Sequence, residues 1–246
     1  MHRLIAPVIA ATLALPASAM DLTELTDAER AQFRAEVRSY LMDNPEVIME
    51  AVELLQSREA EAQANADLSL VSDNAAAIFE DGYSWVGGNP DGDIVLVEFL
   101  DYRCGYCRKA VPEVASLLKS DGNIRLIVKE FPILGEGSLL SSRFAVATKL
   151  LAGDKYYEQV HDALLELDAD ATEVTLRRIG DGLGLDTEEI IAHMQSEEVT
   201  DILRKNHALA KELAISGTPT FVLQDRMLRG YLPADQMAQI IAEIRG

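Results

Sequence analysis

Ile94-Val95-Leu96-Val97-Glu98-Phe99-Leu100-Asp101-Tyr102-Arg103-Cys104-Gly105-Tyr106-Cys107 decides how this chain is read. Its first seven residues form an apolar run of strand length, interrupted by Glu98, and its last four are Cys-Gly-Tyr-Cys. Two residues between thiols at the first turn of a helix put both sulfurs at one end of that helix, where a disulfide forms and breaks locally. The chain has 2 cysteines, both in this stretch. The pattern points to dithiol redox chemistry where a strand hands over to a helix.

Working outward, a helix is expected from Cys104 to about Lys119. A turn at Asp121-Gly122-Asn123 and a second apolar strand, Ile124 to Lys129, follow. Strand, helix, strand with short turns is a right-handed parallel βαβ unit. Upstream, Ala75 to Glu80 reads as a short helix, and Gly87-Gly88-Asn89-Pro90-Asp91-Gly92-Asp93 as a turn-rich stretch. Downstream, helical periodicity recurs near 138–152, 154–167, 172–181, 186–195 and 197–214, separated by breakers such as Gly153-Asp154. Gly217-Thr218-Pro219 then introduces a strand, Thr220 to Leu223. A turn, a short strand from Met227 to Gly230 and a final helix from Pro233 to Ile244 complete the chain. The expected fold class is α/β: a thioredoxin-like fold over 74–246 with a helical insertion at about 138–214.

The region 20–73 has no credible strand. Phe33, Val37, Leu41, Ile48, Val52 and Leu55 form a helical stripe. Pro45 restarts the helix after Asn44, giving segments 27–43 and 45–62 with a polar, Ala/Glu-rich continuation or linker behind them. Such a stripe either folds back on the larger domain or, through the seven-residue spacing of Leu41, Ile48 and Leu55, packs against copies of itself. Before it, Met1-His2-Arg3, the apolar stretch Leu4 to Pro16 and Ala17-Ser18-Ala19 read as a cleaved export signal over 1–19. Thiol chemistry in an exported protein implies an oxidising compartment. With 41 acidic against 22 basic side chains and a formal charge of -19, nucleic-acid binding is not expected.

A free thiol with its pKa near 8.5 is mostly protonated at neutral pH, and a helix amino terminus favours the anion. Cys104 is therefore the expected nucleophile, and Cys107, one turn inside, the resolving thiol. A purely structural disulfide across so short a loop would stabilise little. No resident metal or cofactor is expected: a metal site needs about four ligands, and His2, His161, His193 and His207 lie far off in sequence, in expected surface helices. Copper(I) capture by Cys104 and Cys107 is conceivable as a side activity. Thr218-Pro219 at a strand entry suits a cis bond, which would set the residue-218 backbone opposite the sulfurs for strand-like pairing with an extended substrate.

The segments Glu98 to Cys107, Lys129-Glu130-Phe131-Pro132 and Gly217-Thr218-Pro219-Thr220 resemble the DsbA-like family of bacterial periplasmic thiol-disulfide oxidoreductases, over roughly residues 75 to 246. Val37 to Val47 resembles the amino-terminal oligomerisation region of its ScsC-like subgroup, associated with copper tolerance and disulfide isomerisation. The resemblance implies that Glu98 is a buried acid assisting proton movement at the inner cysteine, with Lys129 its basic companion. It also implies that Thr218, Pro219, Gly105 and Tyr106 meet substrate. Gly105-Tyr106 replaces the Pro-His of strongly oxidising members and supplies no cation, so the expected activity is isomerase or reductase. Implied partners are unfolded or misoxidised exported proteins, a membrane-bound thiol reductase and further copies of the chain. A dithiol oxidase and a copper-binding protein are the alternatives.

Overall fold

A computed structural model describes residues 25–246. The export signal read at 1–19 lies outside the described residues. The chain divides into two compact units, one ending at Arg58 and the other running from Glu59 to Gly246.

The first unit holds helix α1 (Asp27–Asp43) and the start of α2 (Glu46–Asp73). Thr26 caps α1: its hydroxyl accepts from Glu29 N–H at 3.3 Å while the Glu29 carboxylate accepts from Thr26 N–H at 2.9 Å. At the other end Asn44 closes the helix, its side-chain amide on the Tyr40 carbonyl at 2.9 Å, and the chain restarts at Pro45 as expected. No residue of α1 is buried, and Phe33, Val37, Tyr40, Ile48, Val52 and Leu55 are all exposed.

Of the continuation or linker read behind the second helix, the structure has the continuation: the helix runs on to Asp73, because 57–73 contains neither Gly nor Pro and is rich in Ala, Glu and Leu. Within the second unit Asp67 pairs with Arg229, Nη2 to Oδ1 at 2.9 Å, and Val71 packs beside Ile78, Val97 and Phe99. Hence the second unit starts at Glu59, ahead of the boundary at 74 read from the sequence.

That unit contains α3 (Ala75–Phe79), β1 (Trp85–Gly88), β2 (Ile94–Leu100), α4 (Gly105–Asp121) and β3 (Ile124–Glu130). The helical insertion follows as α5 (Glu136–Ala152), α6 (Asp154–Glu166), α7 (Glu173–Gly182), α8 (Thr187–His193) and α9 (Glu197–Glu212). The chain ends with β4 (Thr220–Leu223), β5 (Arg226–Arg229) and α10 (Ala234–Arg245). The five strands order as β1-β3-β2-β4-β5, with β2 and β3 parallel and the other pairs antiparallel. This is a thioredoxin fold interrupted by helices. Among the described residues no helix is long and apolar enough to cross a membrane.

Strand β1 replaces part of the stretch read as turn. Its Gly87 leaves room for the Trp85 indole, which a Cβ there would meet at 2.0 Å. The residues Trp-Val-Gly-Gly carry no clear strand pattern, yet they pair with Val128 to Arg125 on the edge of β3.

Side-chain alternation gives the sheet two buried faces. Leu96, Leu100, Leu126, Val128 and Phe221 join α4, α5 and α6 in one core, whereas Val97, Phe99, Ile127 and Val222 join Ile78, Leu209 and Leu213 in the other. Each such side chain contributes about 1.5–3 kcal/mol by leaving water. Burial on both sides explains why β2 and β3 read as continuous apolar runs.

Candidate active site around Cys104 and Cys107

The loop Asp101-Tyr102-Arg103 carries the chain from β2 into α4, and Cys104 is the residue that caps α4. Buried Asp101 shapes this loop. Its carboxylate accepts from Arg103 N–H at 2.8 Å, Ile133 N–H at 2.7 Å, Leu134 N–H at 3.0 Å and the Ser138 hydroxyl at 2.7 Å. The loop after β3 is thereby fastened beside the cysteines. Arg103 and Arg108 reach the other way, to the carbonyls of Ala169 at 2.8 Å and Leu167 at 2.6 Å, tying the helix start to the insertion.

The two sulfurs are not joined to each other in this structure, and both cysteines are buried as residues. Cys104 is 7% exposed, and its Sγ donates to the Thr218 carbonyl at 3.1 Å. The Thr218-Pro219 peptide is cis, as the sequence suggested, and Pro219 is buried. Cys107 lies deeper, at 1% exposure. Burial pushes its thiol well up, with a further push from nearby Glu98 and Cys104; the Asp101 backbone and the Thr218 side chain act in the opposite direction. Thr218 thus meets the outer sulfur through its carbonyl. Gly105 opens α4 with nothing within 4 Å of where a Cβ would sit, and Tyr106 beside it is 63% exposed.

Glu98 is buried on the dithiol side of the sheet. Across the strands it faces Val128 and Phe221, both apolar. Burial alone pushes its carboxyl up to about 8, and no cation offsets that. The sequence reading paired Glu98 with Lys129, and the structure corrects it. Register places Val128 opposite Glu98 and Lys129 opposite Phe99, so Lys129 points through the other face. There its ammonium donates to the Ala77 carbonyl at 2.8 Å and forms an ion pair with Asp81. Lys129 is not part of the site.

A second correction concerns His161, expected on a surface helix. It stacks on Tyr157 with centroids 5.7 Å apart, lies beside Trp85, and its Nδ1 is 3.0 Å from the Tyr102 hydroxyl. Tyr102 and Tyr157 both donate to Glu130 Oε1 at 2.6 Å, and Ser142 donates to Oε2 at 2.7 Å. Sequence reasoning missed this group, although the alternation 124, 126, 128, 130 along β3 places Glu130 on the dithiol face. His193 and His207 lie elsewhere, and His2 is outside the described residues. Among the described residues no three His, Cys, Asp or Glu side chains converge on a metal position.

Comparison with known proteins agrees with this geometry. Residues 95–242 match the DSBA-like thioredoxin domain, and residues 29–62 match the Copper resistance protein ScsC N-terminal domain. A thioredoxin-like oxidoreductase from Silicibacter pomeroyi DSS-3 is 38% identical with TM-score 0.64, over 69% of this chain and 96% of that one. BcfH from Salmonella enterica Typhimurium is 26% identical with TM-score 0.72, over 89% and 97%. Proteus mirabilis ScsC in a transitional conformation is 26% identical with TM-score 0.64, over 91% and 98%. Curated relatives include Na(+)/H(+) antiporters NhaA at 26–27% identity, of whose length the chain spans 22–25%.

Proposed function

This chain belongs to the DSBA-like thioredoxin domain family, and on that premise we propose that it is an exported thiol-disulfide oxidoreductase working as a disulfide isomerase or reductase. The observation that carries this reading is the arrangement of the two sulfurs. Cys104 caps α4 against the Thr218 carbonyl, and Cys107 is held protonated beneath it, next to Glu98. Among the described residues neither sulfur has a Lys, Arg or His hydrogen-bond partner. Without a cation to stabilise the reduced form, the Cys104-Cys107 disulfide is a weak oxidant and the dithiol a fit donor of electrons.

In the first step the Cys104 sulfur attacks a wrong disulfide in a substrate protein. A mixed disulfide forms and one substrate sulfur leaves as thiolate. The strand-like backbone at Thr218 and Pro219, with Gly105 and Tyr106 opposite, lies along the substrate. For isomerisation a substrate thiolate attacks its partner sulfur, and Cys104 leaves unchanged. For reduction Cys107 passes its proton to Glu98 in its ionised form and attacks Cys104, closing the Cys104-Cys107 disulfide; the second substrate sulfur leaves as thiolate and takes up that proton. Two electrons and two protons from a membrane-bound thiol reductase restore the dithiol.

The stripe through Leu41, Ile48 and Leu55, of which Ile48 and Leu55 are exposed, serves as a seam between copies of the chain in the periplasm. ScsC, whose N-terminal domain this region resembles, is described as a copper resistance protein. Copper(I) held by Cys104 and Cys107 is accordingly the alternative use of the reduced pair.

Incubating the reduced protein with a scrambled, inactive disulfide-bonded substrate tests the proposal. Recovery of activity supports isomerisation, and none supports a copper protein. Trapping the resting state in cells separates the remaining pair: a mostly oxidised Cys104-Cys107 means an oxidase.

A further inference from the structure

Among the described residues, Glu98 and Glu130 are the two carboxyls that the strands bury on the dithiol face, and the steps above use only Glu98. Glu130 ends β3 at 3% exposure and takes its three hydroxyl donors from three different elements: Tyr102 from the cysteine loop, Ser142 from α5 and Tyr157 from α6. A buried carboxylate without a cation is costly, so its place needs a reason beyond packing.

Tyr102 supplies that reason. It is fully buried two residues before Cys104, and its single hydroxyl proton goes to Glu130. The contact with His161 at 3.0 Å must then run the other way, with Nδ1–H donating to the phenol oxygen. The Tyr102 carbonyl accepts from Arg108 Nε at 3.1 Å, and the neighbouring Asp101 carbonyl accepts from Cys104 N–H at 3.0 Å. Movement of the Tyr102 ring therefore reaches Cys104 within two peptide units. A proton gained at Glu130 removes the anion that orders these hydroxyls.

We propose that Glu130 is a positioning residue of the dithiol, fixing Cys104 through the phenol of Tyr102 and making its reactivity depend on the proton carried at Glu130. The groups facing it are few. Asp101 and Tyr102 come from the loop, and Tyr157 and His161 from α6. Asn206 of α9 holds the Glu130 carbonyl at 3.0 Å. Tyr83 and Lys149 line the same small cavity, Lys149 turned to Asp154 at 2.6 Å. Burial pushes Glu130 up to about 7 against its three hydroxyls, and pushes His161 down to about 4. Near neutral pH it is Glu130, with Glu98 at about 8, that changes charge.

The inference rests on Cys104 being the attacking thiol. Its test is the rate at which iodoacetamide alkylates Cys104 in the reduced full chain, followed by peptide mass from about pH 5.5 to about 9. The variants are Glu130→Gln, Tyr102→Phe, Tyr157→Phe and Glu98→Gln, each checked by thermal melting. The wild type should show an inflection near 7 that E130Q lacks and E98Q keeps. At neutral pH, E130Q and Y102F should each change the rate at least about threefold, and the double variant no more than either. Y157F removes a donor from the same oxygen without touching the loop, and should keep the inflection. A folded E130Q with the wild-type profile overturns the inference, as does Y157F matching Y102F, which would mean general loosening of the core. If E130Q does not fold, an unchanged profile in Y102F overturns it. Labelling of Cys107 in place of Cys104 removes both this inference and the assignment of the attacking thiol.

Discussion

Glu98 and Lys129, one register step apart on adjacent parallel strands, point to opposite faces of the sheet. The acid sits above the dithiol with apolar neighbours, and the base is spent on Asp81 behind the sheet. Proton handling at Cys107 therefore falls to a carboxyl whose proton affinity is raised by burial alone.

Replacing Glu98 by Gln should slow closure of the Cys104-Cys107 disulfide by about 100-fold, the lower end of what a positioned general base contributes. The first attack by Cys104 should be little changed, and stopped-flow thiol release resolves the two steps. Stability should move the other way. The native carboxyl at about 8 lies above its ordinary 4.5, so the folded state binds an extra proton between those values and loses stability as pH rises through them. E98Q should match the wild type near pH 4.5 and exceed it by on the order of 3 to 5 kcal/mol above pH 8, read from urea melts.

Lys129→Met should do the reverse. It leaves buried Asp81 without its partner, a loss of about 3–5 kcal/mol, while the folded fraction keeps wild-type thiol exchange. Adding Asp81→Asn should recover part of the stability. A slowed Cys107 step in folded K129M would return Lys129 to the site.

Chain truncation should separate the stripe from the catalytic unit. A protein starting at Glu59 keeps Asp67 on Arg229 and Val71 in the core, and is expected to fold and run as a monomer by light scattering. The longer protein from Met20 should run as an oligomer. Starting instead at Asn74 removes both anchors and should lower the melting temperature by several degrees, with a couple of kcal/mol lost through Val71 alone.

The elements that sequence rendered clearly are those whose signal is local. The apolar runs at 94 and 124, the Asn44-Pro45 restart and the Gly-punctuated helices of the insertion all appear within a residue or two of their expected ends. Cys104, Cys107, Thr218 and Pro219 converge as the strand-helix spacing and the Thr-Pro entry suggested. What stayed hidden depends on pairing across the chain. Gly87 and Gly88 resemble a turn until β3 offers them an edge. Lys129 is a plausible partner for Glu98 until register separates their faces. Tyr102, Glu130, Tyr157 and His161 come from the cysteine loop, β3 and α6, and only packing of the insertion on the sheet brings them together.

The most direct test of the central claim uses single-cysteine variants of the reduced chain and a disulfide-bonded substrate. If Cys104 attacks and Cys107 resolves, Cys107→Ser should accumulate a stable mixed disulfide through Cys104, seen as a mass shift on non-reducing gels, and Cys104→Ser should accumulate none. Equal trapping by both variants, or trapping through Cys107 alone, would contradict the account.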